Sequence, residues 1–224
     1  MLKIFIILLV LDLAAIAIAE ITGHTSMMGL IPLFHMSHES NFPTYFSSIF
    51  LLLISLIVLV IYISHRRKGL NDSKYWIALS VIFLLVSMDE FMSVHELFTM
   101  PLREAFQFDH WFYFAWVIPG IIFCAVLLLF FLKFFFSLPG RYKRLFFASA
   151  FLLIGGAIGM EILDGLFISY NESSTFVYGI LSTLEETMEF LGIILFAYSF
   201  IDYLNTDTEK GGVISIPEGK TETA

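Results

Sequence analysis

Ser87-Met88-Asp89-Glu90-Phe91-Met92-Ser93-Val94-His95-Glu96 lies within the third of six long apolar runs and sets three carboxylates and an imidazole in otherwise greasy sequence. The run around it, residues 75–98, is long enough to cross a bilayer, whose hydrocarbon core of about 30 Å needs about 20 helical residues. An acid there costs roughly 2.5–3.5 kcal/mol on insertion scales, so an intramembrane carboxylate is a functional-site hypothesis by default. Two later runs repeat the anomaly, one with Glu161 and Asp164, the other with Glu185, Glu186 and Glu189.

Working outward, further apolar runs cover residues 4–19, 45–64, 111–136, 145–168 and 175–204. The chain has 224 residues, 58% hydrophobic and only 14% charged, a balance that belongs to multi-pass membrane proteins. The expected fold is all-α: a polytopic transmembrane helix bundle of about six spans in a single domain over 1–204. A disordered cytoplasmic tail follows at 205–224, where the sequence turns polar with Gly and Pro. The net charge of −8 does not indicate a soluble acidic surface, because half of the 20 acids fall in or beside the apolar runs. No basic stripe suggests nucleic acid. The lone Cys124 excludes an intramolecular disulfide and any cysteine-based metal site.

Arg66-Arg67-Lys68 and Arg141-Tyr142-Lys143-Arg144 orient the spans, since basic clusters stay in the cytoplasm. Six spans then put both termini inside and leave Arg103 as the basic residue of the outer loops. Five of the six histidines (His24, His35, His38, His95 and His110) fall at the outer side, with His65 inside. The expected location is a bacterial inner membrane, with the acids facing the periplasmic side. Residues 1–20 read either as the first span or as a signal peptide, since Ala17-Ile18-Ala19 resembles a cleavage site while Asp12 interrupts the apolar core that a leader needs.

Asn41-Phe42-Pro43-Thr44 reads as a helix start, with Asn41 or Thr44 as cap and proline in the first turn. Pro119-Gly120 predicts a kink in the fourth span. Gly155, Gly156 and Gly159 let a neighbour approach the fifth.

At 1.5 Å per residue, Glu185 to Glu189 lie about 15–20 Å below the start of the sixth span. The acids of the third, fifth and sixth spans therefore share one slab between midplane and outer interface. At about 100° per residue, Asp89, Ser93 and Glu96 stack on one face, flanked by Glu90 and His95. Ser182, Glu185, Glu186 and Glu189 follow an i, i+3, i+4, i+7 pattern, and such a polar stripe faces a bundle interior or a wet cavity.

No Lys or Arg lies in the middle of any span, so either protons or a bound cation must compensate these acids. Eight or so carboxyls with a histidine favour a metal over protons alone or alkali ions. Carboxylates with imidazole and no thiolate suit iron or zinc, as one or two divalent ions, with manganese a lesser fit. The expected ligands are Asp89, Glu90, His95, Glu96, Glu161, Glu185 and Glu189, with His38 and Glu39 completing the set from the loop. The di-iron bundle template fits poorly, because the chain lacks Glu-x-x-His.

Glu39-x-Asn41-x-Pro43-Thr44, Asp89-Glu90 with His95-Glu96, and Glu185-Glu186-x-x-Glu189 with Gly192 are the motifs of a group of bacterial multi-pass membrane proteins that this sequence resembles. The resemblance covers the six spans and not the tail. It implies that Glu39 and Asn41 belong with the acids, and it implies no activity.

Two function classes follow. The first is a metal-dependent membrane enzyme, a zinc hydrolase or an iron oxidoreductase, with Glu186 or Asp164 as general base. Its substrate is a membrane lipid or another apolar molecule reaching the site sideways. The alternative is a proton or metal-cation transporter. Ser87-Met88-Asp89-Glu90-Phe91-Met92 resembles Thr183-Leu184-Glu185-Glu186-Thr187-Met188 three spans later, as an inverted repeat requires. A transporter also needs an inner exit, whereas the polar groups gather toward one side.

Overall fold

A computed structural model of the chain describes residues 1–24, 26–108, 110–170 and 175–209. It is helical with no strand among the described residues, and six helical stretches are long and apolar enough to cross a membrane. Helix α1, Leu2–Thr22, ends at Gly23, whose left-handed φ of 68° turns its N–H back to Ala19 O at 2.9 Å. The segment that follows carries a short helix α2, Leu30–Phe34.

Helix α3, Phe42–Arg67, starts where the sequence predicts, with Asn41 as the cap: its side chain accepts the Thr44 N–H at 2.9 Å, and Pro43 occupies the first turn. His65, Arg66 and Arg67 fill the last turn, where positive charge suits the helix dipole. Helix α4 is Ser73–Met92 and the short helix α5 is Thr99–Phe106.

Helix α6, Val117–Ser137, begins six residues later than the apolar run and places Pro119 in its first turn. The expected kink therefore does not arise, because proline's missing N–H is an orphan there in any helix. The fifth span is continuous over Gly140–Tyr170, as α7 (Gly140–Ile154), a wider π-helical turn (Gly155–Met160) and α8 (Glu161–Tyr170). Helix α9, Thr175–Glu209, carries the sixth span and continues five residues past 204. The rest of the expected tail, 210–224, lies outside the described residues.

Two interfaces set the frame. Helices α3 and α4 are clamped by serines at heptad spacing. Ser48 and Ser87 each donate to the other's carbonyl at 2.8 Å; one layer on, Ser55 donates to Ser80 O at 2.7 Å and Ser80 to Ser55 O at 2.9 Å. Small hydroxyl residues suit membrane helix contacts because they let backbones close while satisfying their own polar atoms. Helices α7 and α9 meet through glycine: a Cβ on Gly192 would lie 2.6 Å from Leu153 N. Gly156 brings the π turn equally close, since a Cβ there would lie 2.7 Å from Glu189 Cγ, whereas Gly159 faces open space.

The packed core fills the half that carries the basic clusters. Trp76 and Phe200 are wholly buried and meet Tyr203, Phe146 and Phe83 with ring centroids 4.7 to 5.6 Å apart. Lys68 bonds Asp207 at 2.8 Å and Arg141 bonds Asp202 at 2.8 Å, so both basic clusters meet the last turns of α9 at one end. His65, alone among the histidines, belongs to that end, 2.8 Å from Asp72.

Candidate functional site

The decisive local event is a break in the stretch that opens the sequence analysis. Helix α4 stops at Met92, and Ser93 takes left-handed angles (φ 49°, ψ 41°). The chain then turns back through a 3-10 turn, His95–Phe98. Asp89 holds the break: its Oδ1 accepts the His95 backbone N–H and its Oδ2 the ring Nδ1–H, both at 2.9 Å. Asp89, Ser93 and Glu96 therefore do not stack on one helical face, because the helix ends inside the motif. The break carries His95 and Glu96 over the end of α4.

The loop before α3 meets them there. Asn41 donates to the carbonyls of His35 (2.8 Å) and His38 while capping α3, which stiffens the loop that carries Glu39. Ser93 Oγ then donates to Glu39 Oε2 at 2.7 Å. Glu39, His95 and Glu96 each bring one donor atom within 4.8 Å of the other two. With Nδ1 engaged by Asp89, His95 offers Nε2, the arrangement in which a carboxylate fixes the tautomer of a metal-binding histidine. Metal–ligand bonds of about 2.0–2.2 Å set tetrahedral donors about 3.4 Å apart, so the three could hold a small divalent cation once the two exposed glutamates draw inward.

The charges agree with that fit. Burial pulls the His95 imidazole downward, but the hydrogen bond and charge of Asp89 outweigh it and leave its pKa raised. Glu96 is raised by burial first and by Glu39 second.

Beneath this rim lies a cavity of about 370 Å3 between α4, α6, the fifth span and α9. Its upper wall carries Glu39, Asp89, Glu90, Glu96, Glu161, Glu185, Glu186 and Glu189 with His95, and no Lys or Arg lines it. Ser47 of α3 donates to Glu90, and Trp116 Nε1 donates to Glu161 Oε1 at 3.2 Å while its ring packs on His95 at 4.5 Å. The carboxyls of Glu161, Glu185 and Asp164 are neighbours in this wall and behind it. The lower wall is apolar, formed by Leu79, Ile82, Phe83 and Val86 of α4, Phe123, Leu127 and Phe131 of α6, Leu153 and Ile154 of α7, and Phe196.

Asp164 does not line the cavity. It sits behind Glu185, 2% exposed, with Oδ2 accepting from Ser182 at 3.1 Å and Oδ1 without a donor among the described residues. His38 also stays off the wall, edge-on to His35 at 5.3 Å, and burial followed by the nearby His35 lowers its pKa.

Asp12 is wholly buried at a junction: it accepts from Met36 N at 2.8 Å and Thr183 Oγ1 at 2.6 Å, with His35 Nδ1 3.3 Å away. It thus ties α1 and α9 to the loop bearing Glu39. His110 stacks on Tyr170 at 4.5 Å, and His24 and Glu20 are exposed. Sequence reasoning missed Ser47 and Trp116. The matched seven-residue spacing of Ser48/Ser55 and Ser80/Ser87 would have paired α3 with α4 and so placed Ser47 near Glu90; nothing in the sequence signals Trp116.

Residues 1–203 match the family described as Domain of unknown function (DUF8692), and the chain belongs to that family. No curated protein and no solved structure matches it.

Proposed function

We propose that this membrane-embedded chain is a metal-dependent enzyme of a bacterial inner membrane, acting on a lipid or similarly apolar substrate from the periplasmic side. One observation carries the reading: a single cavity joins a carboxylate-and-imidazole end to a purely apolar end. A substrate with a tail in the apolar part presents its head to the acids.

Glu39, His95 and Glu96 would hold one divalent ion, iron or zinc, with Asp89 orienting the imidazole. An ion there supplies Lewis-acid polarisation of a substrate oxygen or an activated water, a hydrolase with zinc and an oxidoreductase with iron. Glu186, on the cavity wall, acts as general base. Glu161, Glu185 and Asp164 form a chain of neighbouring carboxyls that takes up and stores a proton away from the substrate.

That carboxyl chain also favours a second reading, transport of protons or metal cations. The apolar lower wall counts against it, since an ion leaving toward the basic end meets no polar group there. Element analysis of protein purified in mild detergent separates the two. The enzyme reading expects stoichiometric iron or zinc, lost in His95→Ala and Glu96→Ala and retained in His38→Ala. Metal-free protein whose proton or cation flux in liposomes depends on Glu186 would establish the transporter instead.

A further inference from the structure

We infer that the molecule taken by this cavity is a single-chain amphiphile with a hydroxyl or amine head and no anionic group, an inference that rests on reading the cavity as a substrate site. Charge is the first argument. The head end holds eight carboxyl groups and one imidazole with no Lys or Arg among its lining residues. One or two divalent ions neutralise at most half of eight negative charges. Nothing is left over to bind an anion. A phosphate or carboxylate head would add like charge in a poorly solvated space, where an unpaired ion costs most. Hydroxyl and amine groups, in contrast, donate hydrogen bonds, and the wall offers acceptors in excess.

Shape is the second argument. The apolar lining forms two facing stripes at helical spacing, Leu79, Phe83 and Val86 on α4 and Phe123, Leu127 and Phe131 on α6. From Asp89 down to Leu79, and from Gly120 down to Phe131, the depth is about 15 Å at 1.5 Å per residue, half of the bilayer's hydrocarbon thickness. The lower end is closed where Phe131 and Phe134 pack on Tyr75, with centroids 6.0 and 4.9 Å away. A volume of about 370 Å3 sits at the low end of small-molecule sites. It suits one extended chain and is too small for the two chains of a phospholipid.

The test uses the full chain in phosphatidylcholine nanodiscs, with binding of dodecanol, dodecylamine, laurate and dodecyl phosphate read by native mass spectrometry. The alcohol and the amine should bind at least about tenfold tighter than either anion, about 1.4 kcal/mol. Leu127→Trp, which fills the lower channel, should move the preference from dodecanol to octanol; Leu129→Trp, at a position 75% exposed on the outer face of α6, should not. Equal or tighter binding of the anions overturns the inference, as does an unchanged chain-length preference in Leu127→Trp protein that remains monodisperse. Metal content measured on the same samples keeps the two readings apart. Metal-free protein that still prefers the alcohol and amine sinks the metal centre and upholds this inference; metal-loaded protein that prefers laurate does the reverse.

Discussion

Toward the basic end, Trp76, Phe146, Phe200 and Tyr203 fill the space between α3, α4, α7 and α9 with interlocking rings. Toward the other end, α4, the fifth span and α9 contribute to a hollow ringed by acids. The same helices therefore stabilise the bundle along half their length and forgo packing along the other half. The contrast teaches where each kind of substitution acts. Loss of volume in the ring-filled half costs stability, whereas loss of charge in the hollow half costs only what the charges are there to do.

The sharpest way to break the contrast is Trp76→Ala, which opens a large void in the packed half and should cost about 3–5 kcal/mol. Thermal unfolding in detergent checks it, and metal retention in the fraction still folded should be unchanged. Gly156→Ala comes next, because its Cβ would fall 2.7 Å from Glu189 Cγ at the seam between the halves. It should cost about 1–3 kcal/mol and also displace Glu189 on the cavity wall, so stability declines while the metal, held by Glu39, His95 and Glu96, is retained. Glu186→Met should move the two readouts apart: the metal-free protein gains about 1 kcal/mol while turnover disappears. A fall in stability there would show that the hollow half is not under electrostatic strain.

Two smaller effects sharpen the picture. Ser55→Ala removes one member of a serine clamp between α3 and α4 and should cost about 0.6 kcal/mol, typical of a polar contact between membrane helices. The Asp89–His95 pair should make stability weakly pH-dependent. The imidazole's folded pKa is raised, so its contribution is complete below the unfolded value of about 6.5 and is lost as pH climbs through the folded one. Melting curves between acidic and alkaline pH should show that decline in metal-free protein, and His95→Gln should flatten it.

The spans, the Asn41 cap and the convergence of acids from three helices were legible in the sequence, because hydropathy and helical period are local properties. The break at Ser93 was not. Nothing in Met92-Ser93-Val94 forbids another helical turn; the bidentate hold of Asp89 on His95 makes the left-handed turn stable, and that is a tertiary fact. Asp12 was equally opaque, since its partners Met36 and Thr183 lie 24 and 171 residues away. Asp164 shares the slab of the other acids, yet depth and phase alone do not reveal that it stands behind Glu185, off the cavity wall. Pro119 misled because the helix start that renders it harmless falls within an unbroken apolar run.

Helix α6 is fastened at its two extremities, by Trp116 on Glu161 and His95 above and by Phe134 on Tyr75 and Trp76 below. Only Val117 and Phe134 along its length are buried. A rod held at both tips and little packed between them is the wall that would yield first to an entering chain, as a drawn curtain does, while the ring-filled half stays shut.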